Sequence, residues 1–239
     1  MTTWLPAGTS KSIHLVRLAG AGPEATEGLL GESLRAALAA AGVRRLQVNR
    51  GDEQVAGAMG FPSGLGDPVV AMVSTWAGDP AATVAAVREA VPGAVVDGWA
   101  VDERRRLDPD ETYAGERADA LANVAVLRRP AELDHATWLH RWMIDHTAIA
   151  IRTQATTGYV QNLCLHPLTD DPTPVDAVVE ELFPVAGITD PHAFYGSGGD
   201  DEELGRRMDE LMGSVTRIGA DRDLDLVPTG RHLWDLADE

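Results

Sequence analysis

Apolar and polar positions alternate along several short stretches of this chain, and between them apolar residues recur at helical spacing. Residues 12–18 (SIHLVRL) alternate as a half-buried strand does. Leu30, Leu34 and Leu38 recur every four residues, which predicts a helix over about 24–41 that stops at Gly42. Residues 43–49 and 69–76 read as strands, separated by a glycine-rich loop over 51–66. Asp79 and Pro80 read as the cap and first residue of a helix to about 91, and 93–101 as a fourth strand. A polar stretch over 102–116 (DERRRLDPDETYAGE) reads as a linker.

The same order then recurs. Residues 120–127 form a strand pattern, and Asp134 caps a helix to about His146. Further strands are predicted over 157–165 and 175–183, and 190–212 holds helical material in two pieces split by Gly196–Gly199. The last main strand is expected within 214–226, with 230–236 as an edge strand or tail. Strand, helix, strand, strand, helix, strand is the ferredoxin-like arrangement. The pattern therefore predicts an α+β fold of two tandem duplicated ferredoxin-like (βαββαβ) units, 12–102 and 119–236. Their antiparallel sheets would bury their bare faces against each other as an α+β barrel, with a pocket between the sheets. Whether the halves pair within one chain or exchange between chains of a homodimer is open at this point.

Charge narrows the partners. The 239 residues carry 37 acidic and 20 basic side chains, a formal charge of −17, which opposes binding to nucleic acid or to an anionic membrane surface. The basic runs Arg44–Arg45 and Arg104–Arg106 are short and read as solvated surface. The single cysteine, Cys164, excludes an intrachain disulfide and sits in an apolar strand pattern, where a small buried hydrophobe is expected. No apolar run approaches the ~18 residues of a membrane span, and the N-terminal stretch lacks a secretory pattern, so a cytoplasmic location is expected.

The chemistry-bearing residues concentrate in 134–162. Trp138, Trp142 and His146 fall along neighbouring stripes of one helix, so His146 closes a Trp-lined face. An imidazole titrates near neutrality and suits a general acid or base. Asp145 points about 100° away from His146 and is a poor partner for it. On the next strand Tyr159 and Gln161 share one face and Asn162 and Cys164 the other. Tyr159 and Gln161 are expected to line the pocket, offering an acid and an amide to a substrate oxygen, with Asn162 turned to the helices. Trp76, Trp99 and His14 are wall candidates from the first half. Of the pair Glu180–Glu181, one carboxylate should face inward with a raised pKa. His135 and His140 are five residues apart, off one helical face, so no metal site is expected. Nucleotide-binding and nucleophile-elbow motifs are absent.

Trp138, Trp142, Asp145–His146, the strand Tyr159-Val-Gln-Asn162 and the strand Asp176-Ala-Val-Val-Glu-Glu-Leu-Phe183 together resemble the EthD family of the dimeric α+β barrel superfamily. The match covers about 119–236, and the first half matches only in its order of elements. The resemblance implies a cofactor-independent enzyme on a small hydrophobic or aromatic ligand. Dehydratases of polyketide or aromatic compounds and cofactor-free oxygenases both belong to this group. The leading expectation is a dehydratase, lyase or isomerase step driven by His146 and Tyr159, with Trp138, Trp142, Gln161, Asn162, Trp76, Trp99 and His14 holding the substrate. A cofactor-free oxygenase and a non-enzymatic metabolite-binding protein are the alternatives.

Overall fold

In the computed structural model, which describes residues 10–20 and 22–237, nine strands form one antiparallel sheet that closes on itself. The first half runs β1 (Lys11–Arg17), α1 (Glu32–Ala40), β2 (Val43–Arg50), β3 (Val69–Ala77), α2 (Pro80–Ala90) and β4 (Val95–Leu107). After a short β5 (Ala114–Arg117), the second half runs β6 (Leu121–Leu127), α3 (His135–His140), a π-helical turn (Arg141–His146), α4 (Thr147–Thr153), β7 (Gly158–Pro167), β8 (Ala177–Phe183), α5 (Pro191–Tyr195), α6 (Asp201–Ile218) and β9 (Asp225–Asp235). Strand neighbours are β4-β1-β3-β2 in the first half and β9-β6-β8-β7 in the second, the same order in each. The pairings β4–β7 and β2–β9 join the halves, so an eight-stranded antiparallel barrel closes within a single chain.

Alternation decides what each face buries. Ile13, Leu15, Met72, Trp99, Val101, Val124, Val126 and Val178 meet inside the barrel. Outside it, the helices of the first half press Leu34, Leu38, Val84 and Val87 onto Val16, Val48, Val73 and Val96. The helices of the second half pack Trp138, Trp142, Ala150, Leu211 and Ile218 onto Ala125, Tyr159, Ala177 and Val179.

Helix caps fall where the polar residues predict them. Asp79 accepts from the Ala82 amide and Asp134 from the Thr137 amide, both at 2.9 Å. Gly42, at φ +85°, comes after α1 in the left-handed conformation that a side chain disfavours.

Several expectations need correction. The helix over 24–41 is a 3₁₀ segment (Pro23–Leu30) and α1, broken at the extended backbone of Gly31. The polar stretch over 102–116 is largely strand: β4 continues to Leu107 because it finds a partner in β7, and β5 pairs with β9. Residues 201–218 are one helix, capped by Asp200 and stopped at Gly219 (φ +77°), so the last strand begins only at Asp225 and runs through 230–235. Arg45 is buried, not solvated: it faces Asp235 at 3.9 Å and lies 4.6 Å over the Tyr113 ring.

The cavities lined by Asn123 lie on the outer face of the sheet, not between the sheets as expected. The barrel interior is filled by the Ile13–Trp99–Val178 apolar cluster and by a buried polar network. There, Glu180 accepts from Gln47 (2.8 Å) and Asn49 (2.7 Å), and its Oε1 lies 3.1 Å from Arg231 Nε. Arg231 in turn donates to Gln47 at 3.0 Å and to Glu111 at 2.7 Å.

Candidate active site

A cavity of about 340 Å³ opens between the outer face of β6, β7 and β8 and the helices that cover it. Its walls are apolar: Ala125, Leu127, Trp142, Val179, Phe194, Leu211, Val215, Ile218 and Leu226 line it, joined by Met59 and Phe61 from the loop between β2 and β3. That loop reaches across from the first half through paired backbone bonds between Phe61 and Leu226. Polar groups are few, which is the usual composition of a small-molecule site.

Three of them form a row across the sheet. Tyr159 on β7 stands opposite Glu181 on β8, and Glu181 opposite Asn123 on β6. All three line the cavity. Burial pushes the Glu181 carboxyl up to about 7. Burial, and then the Glu181 charge, raise the Tyr159 phenol above its ordinary value, so Tyr159 remains a neutral donor. Asn123 is buried and its Oδ1 has no protein partner. Gln154 Oε1 and Trp142 Nε1, also at this cavity, are buried and unpartnered. Buried polar atoms are rarely left so, and several around one cavity suit a polar ligand.

His146 closes the cavity from above. The π turn inserts one residue into the helix, so the residues beyond it are rotated by about 100° relative to a continuous α-helix. The turn is marked by the backbone bond from Thr147 N to Trp142 O, with the Thr147 hydroxyl donating to the same carbonyl at 3.0 Å. His146 Nδ1 lies 3.0 Å from the Ser214 hydroxyl on α6. Burial, and secondarily Arg217, push its pKa down to about 4, so it is neutral at physiological pH. Asp145 is exposed and turned to His140, apart from the cavity.

The structure brings His146, Tyr159 and Trp142 together at the cavity. Trp138 lies one layer behind, stacked on Trp142 at 5.2 Å and donating to Ile218 O. Gln161 shares the Tyr159 face, but its amide is tied to Thr147 at 2.8 Å and does not line the cavity. Asn162 faces the barrel, not the helices, because the face carrying Tyr159 is the one the helices cover; its amide donates to Val178 O. Trp99 belongs to the barrel core, and Trp76 donates to Glu103 beneath Lys11. His14 is fully buried on the outer face of the first half, with Gly98 beside its ring. Cys164 is partly buried with a thiol pushed up to about 12. Among the described residues, no group of three or more His, Cys, Asp or Glu is placed to hold a metal ion.

Asn123, Gln154 and Tyr195 are the site residues that sequence reasoning does not select. Of the pair Glu180–Glu181, the carboxyl with the raised pKa is Glu181, on the cavity face, while the one that faces into the barrel is Glu180. Alternation requires Glu180 and Glu181 to face opposite ways, yet which face is barrel and which is cavity depends on where distant helices dock.

No protein-family model and no curated protein matches this chain. Among solved structures, the chain is similar to one described as an anthrone oxidase-like protein, at 11% identity and a TM-score of 0.61, over 98% of this chain and 95% of that one. Putative monooxygenases from Lactobacillus acidophilus (9% identity, TM-score 0.46, 95% and 97% covered) and Fusobacterium nucleatum (8%, 0.43, 96% and 93%) are more distant. At 11% identity the likeness to the anthrone oxidase-like protein establishes a shared fold alone. No described helix is long and apolar enough to cross a membrane.

Proposed function

We propose that this protein is an enzyme that removes a proton from a small, largely apolar phenol or ketone, with Glu181 as the acid–base group. The observation that carries the reading is a carboxyl with a pKa of about 7 on the floor of an apolar cavity, between a neutral phenol and an unpartnered amide. A base that titrates near the working pH is half ionised there and still basic enough to accept a proton. Tyr159 hydrogen-bonds the oxygen on which the substrate's negative charge develops. His146, held by Ser214, is too weak a base for that step and serves as a neutral hydrogen-bonding group.

This moves the central role from His146 to Glu181 and favours the oxygenase alternative over dehydration. His146, with a pKa of about 4, is a neutral imidazole at neutrality and not the cationic acid that the leading dehydration reading called on. The anthrone oxidase-like neighbour supports the same choice and suggests anthrone as the first compound to try. Glu181 takes one proton from the methylene between the rings. The resulting carbanion gives an electron to dioxygen, and the radical pair joins through a new C–O bond. The peroxide takes up the proton held by Glu181, the carboxylate removes the second methylene hydrogen as a proton while the O–O bond breaks, and the departing hydroxide takes that proton, which yields anthraquinone and one water. The reading calls on no metal or organic cofactor. We further propose that 119–236 is an EthD-like unit and 12–102 its degenerate duplicate, a reading that rests on the shared strand order.

Oxygen uptake and quinone absorbance with anthrone test the proposal. Glu181→Gln is expected to lower the rate by about 10²–10⁴-fold while ligand binding persists. Turnover that survives the substitution sinks the assignment. Binding without turnover in the unaltered protein favours a metabolite-binding role.

A further inference from the structure

A second cavity, of about 480 Å³, adjoins the first. It is bounded by Gly57 and Ala58 of the β2–β3 loop, by Gly187, Ile188 and Thr189 after β8, and by Met208 of α6. The two share Met59, Asn123, Phe194 and Tyr195, so they are neighbouring chambers with a common partition. Phe194 is fixed there, stacked on Phe183 at 4.1 Å and edge-on to Tyr195 at 5.1 Å. No charged side chain among the described residues lines the second chamber. Small residues keep it open: a Cβ on Gly57 would come within 3.3 Å of Thr189, and one on Gly187 within 3.2 Å of Phe194.

Asn123 is the informative residue. It is 3% exposed, it belongs to both linings, and its Oδ1 has no protein partner. An unsatisfied buried acceptor at the junction of an acid–base chamber and an apolar one fits a donor carried by a ligand that spans both.

We propose that the second chamber is a specificity subsite for an uncharged apolar extension of the substrate. The occupant is the far end of the molecule whose ring lies over Glu181, and the four residues common to both linings select it over a separate ligand. The proposal rests on the reading of the first chamber as the reacting site. Its content is a preference for phenols with a long apolar arm over short ones.

Titration calorimetry with para-ethylphenol and para-octylphenol tests this on the full chain. The longer phenol is expected to bind at least about tenfold tighter, since each buried methylene adds affinity. Met208→Trp and Thr189→Trp fill the second chamber from two sides without touching Glu181, Tyr159 or His146. Each should remove most of that preference and leave para-ethylphenol within about twofold of its original affinity, since the first chamber keeps its own lining. Two variants guard against one that fails to fold. The proposal is overturned if folded variants bind para-octylphenol as before, if both phenols weaken alike, or if neither phenol binds the unaltered protein. Binding does not depend on the proton transfer. Failure of anthrone turnover with tail selectivity intact would therefore count against the reaction and not the subsite.

Discussion

Tyr159 and Glu181 face each other directly across β7 and β8, on the side of the sheet that the second-half helices cover. The pairing couples two acids in one largely apolar site. Each charge disfavours the other, so ionisation falls to the more acidic group, Glu181, and the phenol keeps its proton.

This coupling sets the pH profile. With Glu181 required as a carboxylate, kcat/KM should rise about tenfold per unit below a pKa near 7 and level off above it. Linkage has the opposite sign. A carboxyl whose folded pKa is raised from 4.5 to about 7 binds a proton in the folded state that the unfolded chain has already lost. Its contribution to stability is complete below about pH 4.5 and is lost as pH rises through 7. Glu181→Gln should therefore raise Tm at pH 8 and leave it unchanged at pH 4, a pattern that differential scanning calorimetry reads directly. A variant less stable than the parent at pH 8 would mean that the carboxylate has a partner in the folded protein.

How much of the fold and site is legible in the sequence depends on the range of the interaction. The period-two patterns of β1, β3 and β6, and the Asp79 and Asp134 caps, are local, and residues near in sequence suffice to predict them. The middle of β9 is different. Pro228, Thr229, Gly230 and Arg231 break its apolar alternation, and Thr229 and Arg231 make sense inside a barrel only beside Asn49, Gln47 and Glu180 from distant strands. The candidate site divides the same way. Trp142, His146 and Tyr159 emerge from helix and strand periodicity. The cavity's side of the sheet, and with it the roles of Glu181, Asn123 and Asn162, is set by helix docking that no local pattern encodes.

His14 provides a second pH test, remote from the cavity. It is fully buried, and burial pushes its pKa down to about 4 against the opposing pull of the Val73 backbone. A depressed histidine leaves stability intact above the unfolded value near 6.5 and reduces it as pH falls towards 4, where the unfolded chain is protonated and the folded one is not. The loss is about 3 kcal/mol at most over that window. His14→Leu should abolish it, and chemical denaturation at pH 7 and pH 4.5 would then show a smaller difference than in the parent. An unchanged difference would place the acid sensitivity elsewhere.

The tryptophan pair separates by its hydrogen bonds. Trp138 donates to Ile218 O, whereas the Trp142 N–H is buried without a partner. Trp138→Phe leaves an unsatisfied helix-end carbonyl and should cost about 1–3 kcal/mol. Trp142→Phe removes an orphan donor while keeping a ring in the stack, and should cost less than about 1.5 kcal/mol. Urea titrations of both variants check the ranking, and equal losses would mean that ring volume alone decides.

Inside the barrel, Arg231 is the hub of the polar network. It is 1% exposed and 3.1 Å from Glu180, itself 2% exposed, and it also donates to Glu111. Arg231→Met keeps much of the volume but leaves Glu180 with only the neutral amides of Gln47 and Asn49. Removing one member of a buried ion pair typically costs about 3–5 kcal/mol, because the remaining charge is dehydrated without compensation. Arg231→Met combined with Glu180→Gln removes both charges and should recover most of that loss, since Gln47 and Asn49 can still bond the new amide. The network bridges β2 of the first half to β8 and β9 of the second, so this double-mutant cycle by chemical denaturation measures how firmly the barrel is held closed. A double variant no more stable than Arg231→Met would assign the loss to packing around the arginine and not to its charge.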